Sequence, residues 1–296
     1  MARHLSDAAQ TARQAEHHDR QRLARDGDRG DSSPAAGGRA DVPVSYSVQG
    51  EKTSPHFARA FAQGCDGRAV PHDGGLQPGP IAAFGTPPTW PLFAQAQAEG
   101  REWYYGDHGH FRRFQYYRVT KDQYQHDGRG VASPDRFMAL HVDRAPEWKT
   151  DGHTVVVCPQ SPIYMAHHFG IGLPAADGFV TWITAQLRAY TDRPIIVRWK
   201  SQATERPLRV DLQDAWIVVT WSSASAVEAL AAGVPVCTLA PWASTARMGV
   251  QDLATIESPI YPDMGARDQF LFNLADQQWT MEEIERGAAW RALHAT

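Results

Sequence analysis

Short apolar runs and polar, glycine-bearing segments alternate along the chain from about residue 42, and the period of each run predicts its secondary structure. VPVSYSV alternates apolar and polar residues, which is typical of a strand, and a helix that stops at Gly64 follows it. The predicted elements of this half are strands at 42–48 and 80–84, an aromatic strand from Glu102, a strand at 115–120, and helices at 56–63 and 91–98. Their order predicts a small α/β layer with parallel strands and reduced helices.

The second half of the chain has stronger strand patterns. HTVVVC and IVVT are continuous apolar runs, which favour strands covered on both faces, as in a parallel sheet. Between them, Phe179, Ile183, Leu187 and Tyr190 recur at helical spacing within a predicted helix at 176–190. The remaining predicted elements are strands at 194–200, 216–220 and 235–239, a helix at 226–232 and a C-terminal helix at 281–293. The fold class is therefore α/β.

Composition narrows the class of protein. The chain has 296 residues, 43% of them hydrophobic, and a net charge of −4, so no global basic field predicts non-specific nucleic-acid binding. Its three cysteines are scattered without a C-x-x-C pair, which indicates core thiols in a reducing compartment rather than a zinc site. It has no run of eighteen apolar residues and no signal-like N-terminus, so we expect a soluble, cytoplasmic protein without a membrane partner.

One polar elbow connects two predicted buried strands of the second half. It runs from Trp221 to Ser225, and Ser222 or Ser223 is a suitable N-cap for the helix that follows and stops at Gly233. Amide hydrogens at a helix start together with serine hydroxyls favour an anion, most naturally a phosphate. Glu228, about one turn on, is placed to accept hydrogen bonds from sugar hydroxyls. An ordinary capped helix between two strands is the alternative interpretation.

The order T-x-S-S-x-S-A-x-E-A-L-x-x-G-x-P-V in this stretch resembles the donor-binding half of GT-B glycosyltransferases, above all those of capsule polysaccharides. The resemblance implies that Ser222, Ser223 and Ser225 contact the donor diphosphate and that Glu228 contacts its ribose or sugar. It also implies a nucleotide-sugar co-substrate, most naturally a UDP-sugar, and no cofactor. The stretch Y-G-D-H-G-H-F is similar to one in phage and bacterial relatives of these enzymes.

The resemblance also implies a domain plan, in which two Rossmann-like units, the N-terminal one reduced, face each other across a cleft. We expect an acceptor-side unit at 41–145 and a nucleotide-sugar-binding unit at 150–275, with the polar, interrupted stretch at 121–150 connecting them. A C-terminal helical segment at 276–296 is expected to pack back across both units. Residues 1–40 lack aromatic residues and carry few large aliphatics, which predicts a disordered tail.

The loop after the predicted aromatic strand carries the candidate catalytic groups. Open α/β sheets place active residues at the carboxyl ends of their strands. Asp107 is the first candidate for the general base that takes the proton of an acceptor hydroxyl, and His108 or His110 is the second. The alternative is a solvated turn in which Asp107 caps the strand.

Further donor-binding candidates end two strands of the second half. The resemblance implies that the loop with Gln160 and Ser161 faces the diphosphate. Arg198 and Lys200 lie on one face of the next strand by its two-residue period, where a cation would offset the leaving diphosphate. No D-x-D-type motif is evident, so we predict no metal site. Two surface cations near a strand end are the alternative.

Three functions fit these features. The first is a metal-independent glycosyltransferase whose acceptor is a glycan or, in a phage, a hydroxymethylated DNA base. For DNA, a local basic and aromatic surface within 101–129 is expected, formed by Arg101, Arg112, Arg113, Tyr116, Tyr117 and Arg118. The others are a nucleotide-sugar epimerase and a non-catalytic nucleotide- or glycan-binding module.

Overall fold

The computed structural model describes residues 42–47, 53–72, 78–85, 90–169, 178–200 and 206–295. The predicted disordered tail at 1–40 lies outside the described residues. Residues 40–296 belong to one compact unit, which contains both of the sheets described below.

The first sheet has six strands in the order β10-β5-β4-β3-β1-β2. The strands β1 to β4 pair in parallel, whereas β5 pairs antiparallel with β4 and β10 antiparallel with β5. The bounds are β1 Val42–Ser47, β2 Gly67–His72, β3 Ile81–Phe84, β4 Trp103–His108, β5 Tyr117–Lys121 and β10 Gln278–Trp279. The predicted strands of this half are present, but the prediction of parallel strands was wrong for β5, which follows β4 through a hairpin. The strands β2 and β10 were not predicted because they carry few apolar residues.

Helices cover this sheet sparsely, as the short connections predicted. The helices of this half are α1 Thr53–Gly64, α2 Trp90–Ala98 and α3 Asp135–Ala139. Phe57 and Phe61 of α1 are buried and pack against Phe84 and Tyr104 of the sheet, so that α1 closes one face with aromatic rings. Phe93 of α2 packs on Trp103 on the other face.

The second sheet has four parallel strands in the order β7-β6-β8-β9. They are β6 Thr154–Val157, β7 Ile195–Val197, β8 Ala215–Thr220 and β9 Val236–Thr238. The residues Val155, Val157, Ile217 and Val219 face one hydrophobic cluster, and Val156 and Val218 face another. Burial on both faces is what the continuous apolar runs required, and the predicted mixed α/β fold with parallel sheets is confirmed.

Helices lie on both faces of the second sheet. They are α4 Pro162–Phe169, α5 Phe179–Arg188, α6 Leu208–Asp211, α7 Ser225–Ala231 and α8 Met264–Asp276. Helix α5 packs through Phe179, Ile183 and Leu187, as predicted, whereas Tyr190 lies beyond the end of the helix and is 45% exposed. Among the described helices, none combines the length and the apolar character that a membrane crossing requires.

Two local predictions were wrong. The predicted single C-terminal helix at 281–293 is two helices, α9 Met281–Glu285 and α10 Ala288–His294, because Gly287 adopts φ 77° and turns the chain between them. Helix α7 has Ala224 as its N-cap with no side-chain cap, so neither Ser222 nor Ser223 is the N-cap residue.

Candidate functional site

The carboxyl edges of the two sheets meet through Tyr164 of α4. Its hydroxyl oxygen lies 3.0 Å from Oγ of Ser222, which follows β8 in the second sheet. Burial raises the pKa of Tyr164, and charges from the first sheet also act on it: Asp107 adds to the rise and Arg118 opposes it. The ends of β4 and β8 therefore lie at one common site, as expected of open α/β sheets.

Asp107, the first candidate base, forms an ion pair with Arg118. Its Oδ2 accepts a hydrogen bond from Nη2 of Arg118 at 2.5 Å, and its Oδ1 accepts one from the backbone N–H of His108 at 2.7 Å. Burial by itself raises the pKa of this carboxyl, but the charge and hydrogen bonds of Arg118 hold it below its ordinary value. Both oxygens are engaged, so Asp107 is a weak proton acceptor in this arrangement.

His108 is a neutral imidazole among aromatic rings. Its ring lies 5.2 Å from that of Phe84 and 4.6 Å from that of Phe114 between centroids. Burial and then the charge of Arg113 lower the pKa of His108 to about 4, with Lys200 and Arg118 adding to the fall against Asp107. The ring is therefore unprotonated at neutral pH, and it would become an effective proton acceptor once a bound anion raises this low pKa.

His110 lies deeper in the same loop. Burial and the charge of Arg118 lower the pKa of His110 to about 3, against the opposing charge of Asp107. Within the described part of the chain, the buried Nδ1 atoms of His108 and His110 have no hydrogen-bond partner. Both rings are therefore held neutral inside a positively charged surrounding.

Gln160 and Ser222, both predicted to bind the donor, bond to each other. Nε2 of Gln160 donates to Oγ of Ser222 at 2.5 Å, and the N–H of Ser222 donates to Oε1 of Gln160 at 3.0 Å. Ser222 is only 3% exposed. A direct phosphate contact by either residue stays a prediction, and their observed contact fixes the start of the serine turn.

Gln125 fixes the same turn from the first half of the chain. Its Nε2 donates to the carbonyl of Ser222 at 2.9 Å, and its Oε1 accepts from the backbone N–H of Ser244 at 3.0 Å. Sequence reasoning missed this residue, because a contact between positions so far apart leaves no periodic signal.

The remaining serines of the turn are half-buried. The N–H of Ser223 donates to Oγ1 of Thr220 at 3.2 Å, and the N–H of Ser225 donates to Oγ of Ser223 at 3.3 Å. The hydroxyl of Ser225 faces the thiol of Cys158. Ser161 lies at the exposed start of α4, where its Oγ accepts from the N–H of Tyr164 at 3.3 Å.

Glu228 of α7 reaches solvent and faces cations from both sheets. Burial among the surrounding protein raises the pKa of Glu228, while Arg113 and Arg198 oppose the rise. Arg113 belongs to the β4–β5 hairpin and also acts on His108, so one guanidinium lies within electrostatic reach of the imidazole and the carboxyl. The sequence had suggested Arg113 for a DNA surface rather than for this site.

The two predicted strand-end cations differ in their surroundings. Arg198 is buried, with Nη1 3.6 Å from Oδ2 of Asp211, and Asp211 also pairs with Arg206 at 2.7 Å. Lys200 is exposed and acts on His108. The site thus combines neutral imidazoles, several cations and the carboxyl of Glu228, in addition to the paired carboxylates of Asp107 and Asp211, and this arrangement suits an anionic ligand that carries hydroxyl groups.

Two further features complete the description of the surface. Among the described residues, no three His, Cys, Asp or Glu side chains are grouped to hold a metal ion. A recess of about 490 Å³ is lined by residues 188–193 and Glu257, at the edge where β7 begins. Its side chains Arg193 and Glu257 bond each other at 2.9 Å, and it lies away from the groups described above.

Comparison with known proteins gives a distant likeness. No family model and no curated protein matches the chain. The structure is similar to the Thermosulfurimonas dismutans KpsC beta Kdo 2,4 transferase, with 15% identity over 80% of this chain and 91% of that chain and a TM-score of 0.48. It is also similar to the beta Kdo 2,7 transferase of KpsC from the same organism, with 13% identity, 84% and 99% coverage and a TM-score of 0.44.

Proposed function

We propose that this chain is a glycosyltransferase that moves a sugar from a nucleotide-sugar donor to an acceptor hydroxyl, in the GT-B manner. One observation carries the proposal: the exposed Arg113 of the first sheet's hairpin lies within electrostatic reach of both His108, at the end of β4, and Glu228, in the helix after β8. A cation that acts on both a neutral imidazole and a hydroxyl-accepting acid matches what sugar transfer needs at the donor's leaving group.

The donor's negative charge is assigned to the cations of this site. Arg113 and Lys200 are exposed and their charges act on His108, and the charge of Arg198 acts on Glu228. These side chains would offset the charge of a leaving nucleotide without a metal ion. Glu228 would accept hydrogen bonds from ribose or sugar hydroxyls, and the half-buried Ser223 is assigned to the phosphate, because the hydroxyl oxygen of Ser225 is itself buried. A UDP-sugar is the donor that the sequence resemblance implies.

We assign proton transfer to His108 and give Asp107 a positioning role. The acceptor oxygen forms a bond to the anomeric carbon while the bond from that carbon to the phosphate oxygen breaks. The hydroxyl proton passes to His108, and the electron pair of the broken bond leaves with the nucleotide. A bound nucleotide would counter the charges of Arg113 and Lys200 and so raise the pKa of His108, which makes the imidazole a better base once the donor is present.

A glycan is the acceptor that the contacts favour over DNA. Three of the residues expected in a DNA-binding surface are engaged within the protein. Nε of Arg112 donates to the carbonyl of Leu140 at 2.7 Å, Arg118 pairs with Asp107, and the ring of Tyr116 lies under Arg136. Side chains committed to such contacts are poorly suited to track a phosphate backbone.

Thermal-shift titration of the full chain with UDP-, GDP-, CMP- and dTDP-sugars tests the donor site. A ligand at about 100 times its Kd would stabilise the folded protein by about 2.7 kcal/mol. Arg113→Gln and Glu228→Gln should each remove most of the shift. Arg286→Gln changes an exposed arginine of the C-terminal region and should leave the shift unchanged. The absence of any shift, or a shift that Arg113→Gln leaves unchanged, would contradict the donor site.

Product analysis then separates the three functions. Incubation with the stabilising donor and a glycan panel should give a transferred sugar or, without acceptor, slow donor hydrolysis. A free epimer would indicate the epimerase, and an unchanged donor would indicate a binding module. Asp107→Asn and His108→Gln should both retain donor binding, and only His108→Gln should abolish turnover.

A further inference from the structure

We propose that Phe114 is a stacking platform for a pyranose ring of the acceptor. This inference rests on the proposed function, which supplies the neighbouring base, and it assigns a binding role to a residue that the sequence did not single out.

The ring of Phe114 is exposed next to the candidate base. Phe114 is 61% exposed, and its ring meets that of His108 at 4.6 Å between centroids, with an angle of 67° between the planes. The guanidinium carbon of Arg113 lies 5.3 Å from the ring centre. A sugar ring that stacks on Phe114 would therefore lie close to both the imidazole of His108 and the guanidinium of Arg113.

The backbone holds this ring in an uncommon conformation. Phe114 adopts φ 72° and Arg112 adopts φ 49°, which bulky residues rarely do. Two hydrogen bonds hold the hairpin turn that carries Phe114 in this conformation. The hydroxyl of Tyr117 donates to the carbonyl of Phe114 at 3.2 Å, and Nε of Arg112 donates to the carbonyl of Leu140. Strain that the surrounding contacts maintain at a site edge is typical of a positioned functional group.

A sugar ring is the occupant that this chemistry fits. The C–H faces of pyranoses are apolar, and their hydroxyls project from the rim of the ring. The aromatic ring of Phe114 would therefore bind the C–H face, while His108 receives the proton of a rim hydroxyl. Apart from Arg113, which is assigned to the leaving phosphate, the donor-binding groups Glu228, Arg198 and Lys200 belong to the second half of the chain, whereas Phe114 belongs to the hairpin of the first sheet. The platform is therefore assigned to the acceptor.

Saturation-transfer NMR on the full chain, with UDP present, tests this assignment using methyl glucosides, galactosides and mannosides. The wild type should transfer saturation to the C–H protons of at least one glycoside. Phe114→Gly, which suits the positive φ, should weaken that binding about tenfold, the scale of one lost aromatic contact. Phe114→Trp should restore it, and Ile260→Ala, which removes a side chain 51% exposed elsewhere, should leave it unchanged.

The outcomes separate this inference from the donor site. If nucleotides stabilise the protein but Phe114→Gly binds the glycosides as the wild type does, the platform is wrong and the donor site stands. The platform is also overturned if no glycoside receives saturation, or if thymidine dinucleotide receives it through Phe114 instead. If no nucleotide sugar binds, the proposed function fails whatever the glycosides do.

Discussion

Asp107 and Arg118 are cross-strand partners in the antiparallel β4–β5 pair, and their side chains meet at 2.5 Å. The two side chains are 28% and 12% exposed, so the pair is largely withdrawn from water. A carboxylate in such a pair holds the guanidinium in place, and its basicity is low. The pair therefore ties the two strands together beside His108 and Tyr164.

Asp107→Asn should destabilise the protein, because it leaves the charge of Arg118 largely buried without its counter-charge. We expect a loss of about 2 kcal/mol in the free energy of unfolding, less than a fully buried pair would lose. Chemical denaturation measures this loss. Asp107→Asn combined with Arg118→Gln should recover part of it, while Asp127→Asn, in the exposed pair with Arg129, should change little. Abolished turnover with unchanged stability would instead identify Asp107 as the base.

The fold was predictable where buried apolar residues follow one another along the chain in the pattern of a strand or a helix. The strands β6 and β8 were found because Val155–Val157 and Ile217–Val219 are covered on both faces, and α5 because Phe179, Ile183 and Leu187 share one face. Strand β10 was missed because it has two residues, Gln278 and Trp279, and exists only through its pairing with β5.

The candidate site was predictable only in part. Strand ends located Asp107, His108 and Ser222, since open sheets gather polar residues there. What those residues do depends on partners that no local pattern reveals. The hydroxyl of Ser222 accepts a hydrogen bond from Gln160, and the carboxylate of Asp107 forms an ion pair with Arg118. Arg113 lies in the turn of the β4–β5 hairpin, and from this position its charge acts on Glu228.

The stability of the protein should fall as the pH decreases from about 6.5 towards 4. Burial and the neighbouring arginines lower the pKa of His108 to about 4 and that of His110 to about 3. Between those values and the unfolded pKa of about 6.5, the unfolded chain binds more protons than the folded one, so acid favours unfolding. His110→Gln should flatten the decline of Tm with decreasing pH by several degrees relative to wild type. An equally steep decline in that variant would show that other groups cause it.

The two kinetic pH profiles should differ at their acidic limbs. The profile of kcat/KM reports the free enzyme, in which His108 stays unprotonated to about pH 4. The profile of kcat reports the donor complex, in which the nucleotide's charge offsets Arg113 and Lys200. Its limb should therefore lie at higher pH, and Lys200→Gln should narrow the separation between the two limbs. Coincident limbs would contradict proton acceptance by His108 next to a bound anion.

Gln125→Leu should loosen the serine turn from a distance. The substitution leaves the carbonyl of Ser222 and the N–H of Ser244 without their buried partner, which costs about 2 kcal/mol of unfolding free energy. Donor affinity should fall as well, because the turn is no longer fixed. Gln95→Leu removes an exposed hydrogen bond to Glu99 and should leave both quantities nearly unchanged. Stability equal to that of the wild type would show that water replaces Gln125 at no cost.

Gly287→Ala and Gly100→Ala form a matched pair that separates backbone strain from close packing. Both glycines have positive φ, 77° and 65°, and alanine in that region costs about 1–2 kcal/mol. At Gly100 an added Cβ meets nothing within 4 Å, so the loss should stay near that cost. At Gly287 the Cβ would lie 2.4 Å from the carbonyl oxygen of Gly64, where α9 and α10 pack against the end of α1. Either the C-terminal helices or α1 must then shift, so we expect Gly287→Ala to lose at least about 2 kcal/mol more than Gly100→Ala in denaturant titrations. Equal losses would mean that the C-terminal helices move away from α1 without cost, and that their packing on the first sheet contributes little to stability.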